Sequence, residues 1–245
     1  MKVLAVIPAR YQSTRLPGKP LADLAGKPLI QRVYENTSKC RQIDRIVVAT
    51  DDVRIQQAVQ AFGGLCEMTD TNLPSGTDRV AAVAKDVDCD IVVNVQGDEP
   101  FLNPTVIDKA IEALINNPEY KVSTVGKNGI TEEERQSPNT VKVIINKNSE
   151  GIYFSRYDIP YRRDPHNNSI VDPSLKHIGL YVFRKDYLLK FIKMGQGILE
   201  QCEKLEQLRI LENGEKIYVV KTNKDCFGID TPEDLKKARK WLQHE

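Results

Sequence analysis

Arg10, Arg15 and Lys19 place three cations in one short stretch, IPARYQSTRLPGKPL, which runs from Ile7 to Leu21. Ser13, Thr14 and Gly18 lie between them. Fixed cations, hydroxyls and the backbone amides of a glycine-hinged loop can replace the water around a phosphate, so this composition suits a phosphate site. Neither common phosphate fingerprint is present. A P-loop needs Ser or Thr after its Gly-Lys, where this chain has Pro20, and no G-x-G-x-x-G occurs. The competing reading is a basic surface loop whose charges are simply solvated.

Carboxylates offer the complementary chemistry. In Gln96-Gly97-Asp98-Glu99-Pro100 an acid directly follows an apolar run, a placement that suits a hard cation such as Mg²⁺ also in contact with a phosphate. Asp98 and Glu99 fit equally well as caps of a following helix. Gly228-Ile229-Asp230-Thr231-Pro232 repeats the pattern, with Asp230 as a second metal ligand or as part of a helix start. Ser75-Gly76-Thr77-Asp78-Arg79 reads as a helix entry whose free amides suit an anion or a base edge, or as an ordinary capped helix. Arg156, His177 and Glu206-Gln207-Leu208-Arg209 are groups that could grip a hydroxylated, anionic acceptor. A lone histidine in an alternating strand also fits a structural role, and the neighbouring Tyr153 and Phe154 fit a core.

The elements that must position these residues alternate in type. Val3–Ile7, Ile46–Thr50, Leu65–Met68 and Ile91–Val95 read as buried strands. Lys27–Cys40, a segment through Ile55 and Phe62, one opening at Ser75, and Pro104–Ile115 read as helices. This predicts an α/β fold with a mostly parallel central sheet flanked by helices, whose ligands gather at the carboxyl ends of the strands. The clusters PARYQSTR, TDD and QGDEP each follow such a strand. The approximate division is residues 1–125 and 126–245 of a single domain. In the second half VKVIINKNSEGIYFSR reads as a hairpin, 160–174 as an exposed arm, and Lys176–Arg184 as a strand. A helix-rich stretch holding EKLEQLRILENG, a strand Ile217–Val220 and a terminal helix in DTPEDLKKARKWL follow, the last with an Asp in its cap region.

Whole-chain properties narrow the function classes. With 245 residues, 40% hydrophobic and 28% charged, the chain is sized for one domain or a domain plus a lobe. Lys and Arg total 35 against 34 Asp and Glu, so no global field attracts nucleic acid or an anionic membrane. No apolar stretch approaches the roughly 20 residues that span a bilayer. The early first strand leaves no room for a signal peptide. Five scattered cysteines without a C-x-x-C pair, and three histidines without metal spacing, predict a reduced, cytoplasmic protein that is not a zinc enzyme.

Taken in order along the chain, IPARYQSTRLPGKPL, VATDD, SGTDR, VNVQGDEP, VKV–YFSR–IP, KHIGLY, EKLEQLR and GIDTPEDL resemble the CMP-sugar synthetases. KHIGLY and LEQLR resemble the branch that activates 3-deoxy-manno-octulosonate (Kdo) for lipopolysaccharide more than the sialic acid branch. The resemblance implies a Rossmann-like nucleotidyltransferase fold with a small β-hairpin-containing dimerisation lobe, and a homodimer. It implies that the half up to residue 125 binds nucleotide and the half from 126 binds acceptor. Arg10, Ser13, Arg15 and Lys19 would hold the CTP triphosphate, with Arg15 and Lys19 on the leaving diphosphate. Ser75, Gly76, Thr77 and Arg79 would line the cytidine and acceptor region, and Asp98 and Asp230 would hold Mg²⁺. Lys19, Arg15 and Asp98 are then the catalytic set. Gln96, Arg156, His177, Tyr181, Glu206 and Gln207 would face Kdo. Tyr157, Val182 and the segment 126–138 depart from the family pattern, which bears on the shape of the acceptor pocket. Two alternatives remain: a CTP-dependent enzyme for 8-amino-Kdo or a sialic acid, and a non-catalytic nucleotide sensor. The absent glycine fingerprint argues against a dehydrogenase.

Overall fold

Residue alternation in the first strand decides which helices cover which face. In the computed structural model, which describes residues 1–12, 16–164 and 172–243, strand β1 (Val3–Ala9) is buried almost throughout. Val3, Ala5 and Ile7 join one core, and Leu4 and Val6 join the other, as the two-residue period of a strand requires. A 3₁₀ turn (Lys19–Leu21) and a two-residue hairpin, β2 (Asp23–Leu24) and β3 (Lys27–Pro28), lead into α1 (Leu29–Thr37). Then come β4 (Arg45–Thr50), α2 (Val53–Ala61), β5 (Cys66–Met68), α3 (Gly76–Lys85), β6 (Ile91–Asn94) and α4 (Pro104–Asn116). The second half holds β7 (Val122–Lys127), α5 (Glu132–Gln136), β8 (Lys142–Ile145), β9 (Gly151–Ser155), β10 (Ser174–Arg184) and α6 (Lys185–Phe191). It closes with α7 (Ile198–Glu203), α8 (Gln207–Glu212), β11 (Ile217–Thr222) and α9 (Pro232–Trp241).

Among the described residues one sheet holds nine strands, in the order β11-β7-β10-β6-β1-β4-β5, with the β8–β9 hairpin joined through β10. Helices α1, α2, α4 and α9 pack residues such as Val33, Val59, Ile111 and Leu235 on one face. Helices α3, α6 and α8 pack Val80, Leu188 and Leu208 on the other. The predicted two-sided α/β sheet is therefore present, and it is mostly parallel. Its one reversed strand on the main path is β10, antiparallel to both β6 and β7.

Several sequence expectations change in detail. The helix drawn from Lys27 begins at Leu29, because Lys27 and Pro28 pair with Leu24 and Asp23. Strand β7 was not anticipated, and the division at residue 125 falls inside it. The two halves thus share one sheet, and the hairpin is an extension of that sheet through β10. The stretch EKLEQLRILENG is broken at Lys204, whose φ of 53° lies in the left-handed region and ends α7. The cap of α9 is Thr231, which accepts from the Asp234 amide, rather than an aspartate. Most of the arm, residues 165–171, lies outside the described residues.

Candidate active site

Strands β1 and β6 run parallel and side by side, so the loops after them emerge together. The approach is close: a Cβ on Gly97 would stand 2.7 Å from the Pro8 carbonyl oxygen, so only glycine lets the Gln96–Asp98 turn fold onto the end of β1. Gly18 adopts φ +68°, and its N–H donates to the Tyr11 carbonyl at 3.0 Å, closing the cationic loop at its base. The Arg54 guanidinium stacks 3.3 Å above the Tyr11 ring and holds that base against α2. Lys19 follows at once, in the 3₁₀ turn. Ser13 and Arg15 lie outside the described residues.

Lys19 is the centre of the arrangement. Its Nζ donates to Asp98 Oδ2 at 2.6 Å and to Asp230 Oδ1 at 3.0 Å. Burial disfavours the ammonium, but Asp98 and then Asp230 outweigh it and hold its pKa above the ordinary value. Neither carboxylate is a helix cap: Asn103 caps α4 and Thr231 caps α9. The capping alternative is thereby removed for Asp98, whereas Asp230 does stand at a helix start: it immediately precedes the cap, and its N–H donates to Asp234 Oδ2 at 3.2 Å. The Ile229 N–H donates to the Asp98 carbonyl at 2.8 Å, tying the two acidic loops together.

Two cavities, of about 520 and about 640 Å³, meet here, and Gly76, Gln96, Asp98, Glu206 and Asp230 line both. The first adds Arg10, Gln12, Lys19 and Ser75. Arg10 donates to the carbonyls of Leu73 and Ser75, which fixes the entry of α3 beside the cation loop. Ser75 caps α3, its Oγ accepting from the Asp78 amide at 3.2 Å. Thr77 is buried, and its hydroxyl donates to Glu206 Oε2 at 2.5 Å, linking α3 to the start of α8. Arg79 departs from the expectation of a ligand-facing residue. It is fully buried and donates to Asp51 at 2.6 Å and to Thr69, so it braces the loops after β4 and β5 from behind.

The second cavity is lined by Arg156, His177, Tyr181 and Gln207, together with Glu99 and Lys176. His177 packs edge-on against Phe154, and burial pushes its pKa down to about 3, so the ring is neutral. Thr124 Oγ1 donates to the Leu180 carbonyl at 2.7 Å and lies 3.0 Å from His177 Nε2. A hydroxyl whose proton is committed can only accept, which assigns the proton to Nε2 and leaves Nδ1 as an acceptor. Among the described residues, the buried Tyr181 hydroxyl and Gln207 Nε2 have no hydrogen-bond partner. Burial and then Glu206 keep the Tyr181 phenol un-ionised, its pKa well above the ordinary value. Buried donors on a cavity wall can bond to a ligand or to water. Arg156 reaches the rim, where its guanidinium donates to the carbonyls of Glu203 at 2.7 Å and Pro138 at 3.0 Å. Arg209 instead forms a buried pair with Glu200 at 2.7 Å and belongs to the core.

Sequence reasoning passed over Gln12, Glu99 and Lys176 as ligand-facing residues, although all three sit inside motifs it had singled out. At Glu99 burial, then the charge of Asp98, pushes the carboxyl up to about 8.

A mostly parallel sheet whose carboxyl edge carries a cation beside paired carboxylates and an adjoining polar cavity suits nucleotidyl transfer, and similarity to known proteins places the chain among the nucleotidyltransferases. Residues 4–217 match the cytidylyltransferase family. The chain belongs to that family. It is 48% identical to the 3-deoxy-manno-octulosonate cytidylyltransferase of Geobacter sulfurreducens, over 99% of this chain and 100% of the relative. The enzyme of that name from Bdellovibrio bacteriovorus is 43% identical over 100% and 99%. A solved CMP:2-keto-3-deoxy-manno-octonic acid synthetase complexed with CTP is 41% identical, with a TM-score of 0.94 over 100% of this chain and 99% of that one.

Proposed function

We propose that the protein transfers the cytidylyl group of CTP to 3-deoxy-manno-octulosonate, giving CMP-Kdo and diphosphate for lipopolysaccharide synthesis. The observation that carries this reading is the convergence of Lys19, Asp98 and Asp230 where the two cavities meet. The anomeric hydroxyl oxygen of the acid sugar attacks the α-phosphorus, the bond to the β-phosphate oxygen breaks, and the hydroxyl proton is lost. Both reactants are anions, so catalysis consists mainly of positioning and charge neutralisation. Arg10, Arg15 and Lys19 hold the triphosphate, the last two on the departing diphosphate. In the acceptor cavity His177 Nδ1 accepts from a sugar hydroxyl, while Tyr181 and Gln207 donate to sugar oxygens.

Two carboxylates bridged by a cation are a donor set suited to Mg²⁺, which typically binds through one or two carboxylates plus substrate phosphate. Asp98 and Asp230 would hold Mg²⁺, which would supply a Lewis acid to lower the hydroxyl pKa and offset charge on the α-phosphate. Asp98→Asn is expected to lower kcat more than about 100-fold. A variant keeping most of its kcat at saturating Mg²⁺ would refute the metal role. CTP-dependent diphosphate release measured with Kdo, 8-amino-Kdo and a sialic acid should give the highest kcat/KM with Kdo. CTP binding without release on any acceptor would make the protein a sensor.

Pairing with a second copy is part of the same reading. Ile152, Tyr157 and Tyr161 are 57%, 81% and 90% exposed on and after the β8–β9 hairpin, and the two tyrosines line a cavity with Arg135 and Arg162. Sedimentation equilibrium should return a dimer mass, and a monomer would refute it. The five cysteines are unpaired, which fits a reducing cytoplasm. Among the described residues no helix is long and apolar enough to cross a membrane.

A further inference from the structure

Asp98 and Asp230 lie far apart in sequence, so something must set the spacing of the loops that bear them. Phe101 follows Asp98 by three positions, and Phe227 precedes Asp230 by three. Their rings meet with centroids 4.6 Å apart. Trp241, at the end of α9 and the single tryptophan of the chain, packs edge-on against Phe101 at 4.5 Å and against Phe227 at 6.3 Å. Between the rings and the carboxylates, the Ile229 N–H donates to the Asp98 carbonyl at 2.8 Å. A Cβ on Gly228 would stand 3.2 Å from Glu99 Oε1, so the two loops are also in close contact there. Phe227 borders the acceptor cavity, whereas Phe101 and Trp241 line neither of the two cavities. Any effect of Trp241 on the site therefore passes through the loops.

We propose that Trp241 is a positioning residue for the divalent cation: packed on Phe101 and Phe227 together, it fixes the separation of Asp98 and Asp230. The inference rests on the reading of those two carboxylates as metal ligands. Mg²⁺ demands near-ideal octahedral geometry with ligands at about 2.0–2.1 Å, so a small drift of one loop weakens the site. An aromatic pair favours its packed geometry by about two- to twelvefold beyond the area it buries. The helix has docking contacts besides Trp241. Leu235 and Ala238 are in the core, and Arg239 donates to the Asp23 carbonyl through Nε at 3.0 Å and Nη2 at 2.6 Å.

The test uses the CTP-loaded full chain with acceptor withheld, Mn²⁺ as the probe, and electron paramagnetic resonance to count bound ion. The Mn²⁺ lost in Asp98→Asn defines the site. Trp241→Ala should weaken that component about fivefold, with the Mg²⁺ half-saturation of turnover rising in parallel and the KM for CTP at saturating Mg²⁺ unchanged. Trp241→Phe should restore most of the affinity. An Asp98-dependent component left unchanged in Trp241→Ala overturns the positioning role while leaving the metal reading intact, even if the melting temperature falls. If Asp98→Asn removes no Mn²⁺ at all, the metal reading itself fails.

Discussion

Replacing Lys19 by methionine keeps the length and apolar stem of the side chain and removes its charge, with effects of opposite sign on two ligands. In the free enzyme the ammonium sits where the carboxylates converge, 2.6 Å from Asp98 and 3.0 Å from Asp230. It therefore competes with any divalent cation for the same oxygens. The Asp230 side chain is 44% exposed, so that pair is screened and contributes little. The Asp98 pair, with side chains 15% and 28% exposed, carries the larger part, about 1–2 kcal/mol for a partly screened charged hydrogen bond. Removing the competitor should tighten Mn²⁺ binding to the nucleotide-free protein about 5- to 30-fold. The same substitution deletes a phosphate contact, so the KM for CTP should rise at least about tenfold while that for the acceptor changes less than about twofold. The pH dependence has a definite sign. Because the folded pKa of Lys19 is raised, its stabilisation is present below the ordinary value and is lost as pH rises through the folded value. The stability gap between wild type and variant should thus be present at neutral pH and close in strong alkali. Calorimetric Mn²⁺ titration, steady-state kinetics and denaturant unfolding read the three quantities. Unchanged or weaker Mn²⁺ binding in the free variant would refute the shared-site argument, and equal losses in both KM values would indicate a folding defect instead.

Tyr181→Phe removes a buried hydroxyl that has no partner among the described residues. The acceptor KM should rise roughly tenfold with no fall in melting temperature, because only a ligand bond is lost; a lower melting temperature with an unchanged KM would mean that the hydroxyl serves the fold. His177 has a folded pKa near 3, below its unfolded value, so the unfolded chain takes up the extra proton first. Its neutral burial therefore costs stability progressively as pH falls from about 6.5 toward 3, by up to roughly 4 kcal/mol. His177→Gln should flatten urea-derived stability over that window, and an unaltered slope would refute the assignment.

How much of this was legible depended on whether a signal was local. The α3 cap at Ser75 and the placement of Asp98 after β6, beside Lys19, follow from residues adjacent in sequence, and the structure has them where their types suggest. Arg79 was misplaced because a sequence cannot tell which side of a helix faces a cavity and which faces Asp51 behind it. The Tyr153–Phe154 pair illustrates the converse: Phe154 is fully buried, and its role emerges only as the wall against which His177 stands. Strand β7 escaped notice because Ser123, Thr124 and Gly126 interrupt its apolar residues, although it is buried over most of its length.

The feature most distant from the sequence is the reversal of β10, and the two-substrate site depends on it. The parallel strands β1 and β6 deliver the phosphate loop and Asp98 to one edge, where β6 stops at Asn94. A parallel neighbour would have ended at that edge too. Running antiparallel, β10 pairs Tyr181 with Asn94, so the residues before Tyr181 extend past the end of β6 and border the acceptor cavity. His177 and Tyr181 are four residues apart and thus share a face of an extended strand; the register shift between Ile178 and Tyr181 lets that face follow the cavity wall. The antiparallel strand brings the groups proposed for the acceptor to the sheet edge that carries Lys19 and Asp98, and the β8–β9 hairpin attached to its first residues closes the far side with Arg156.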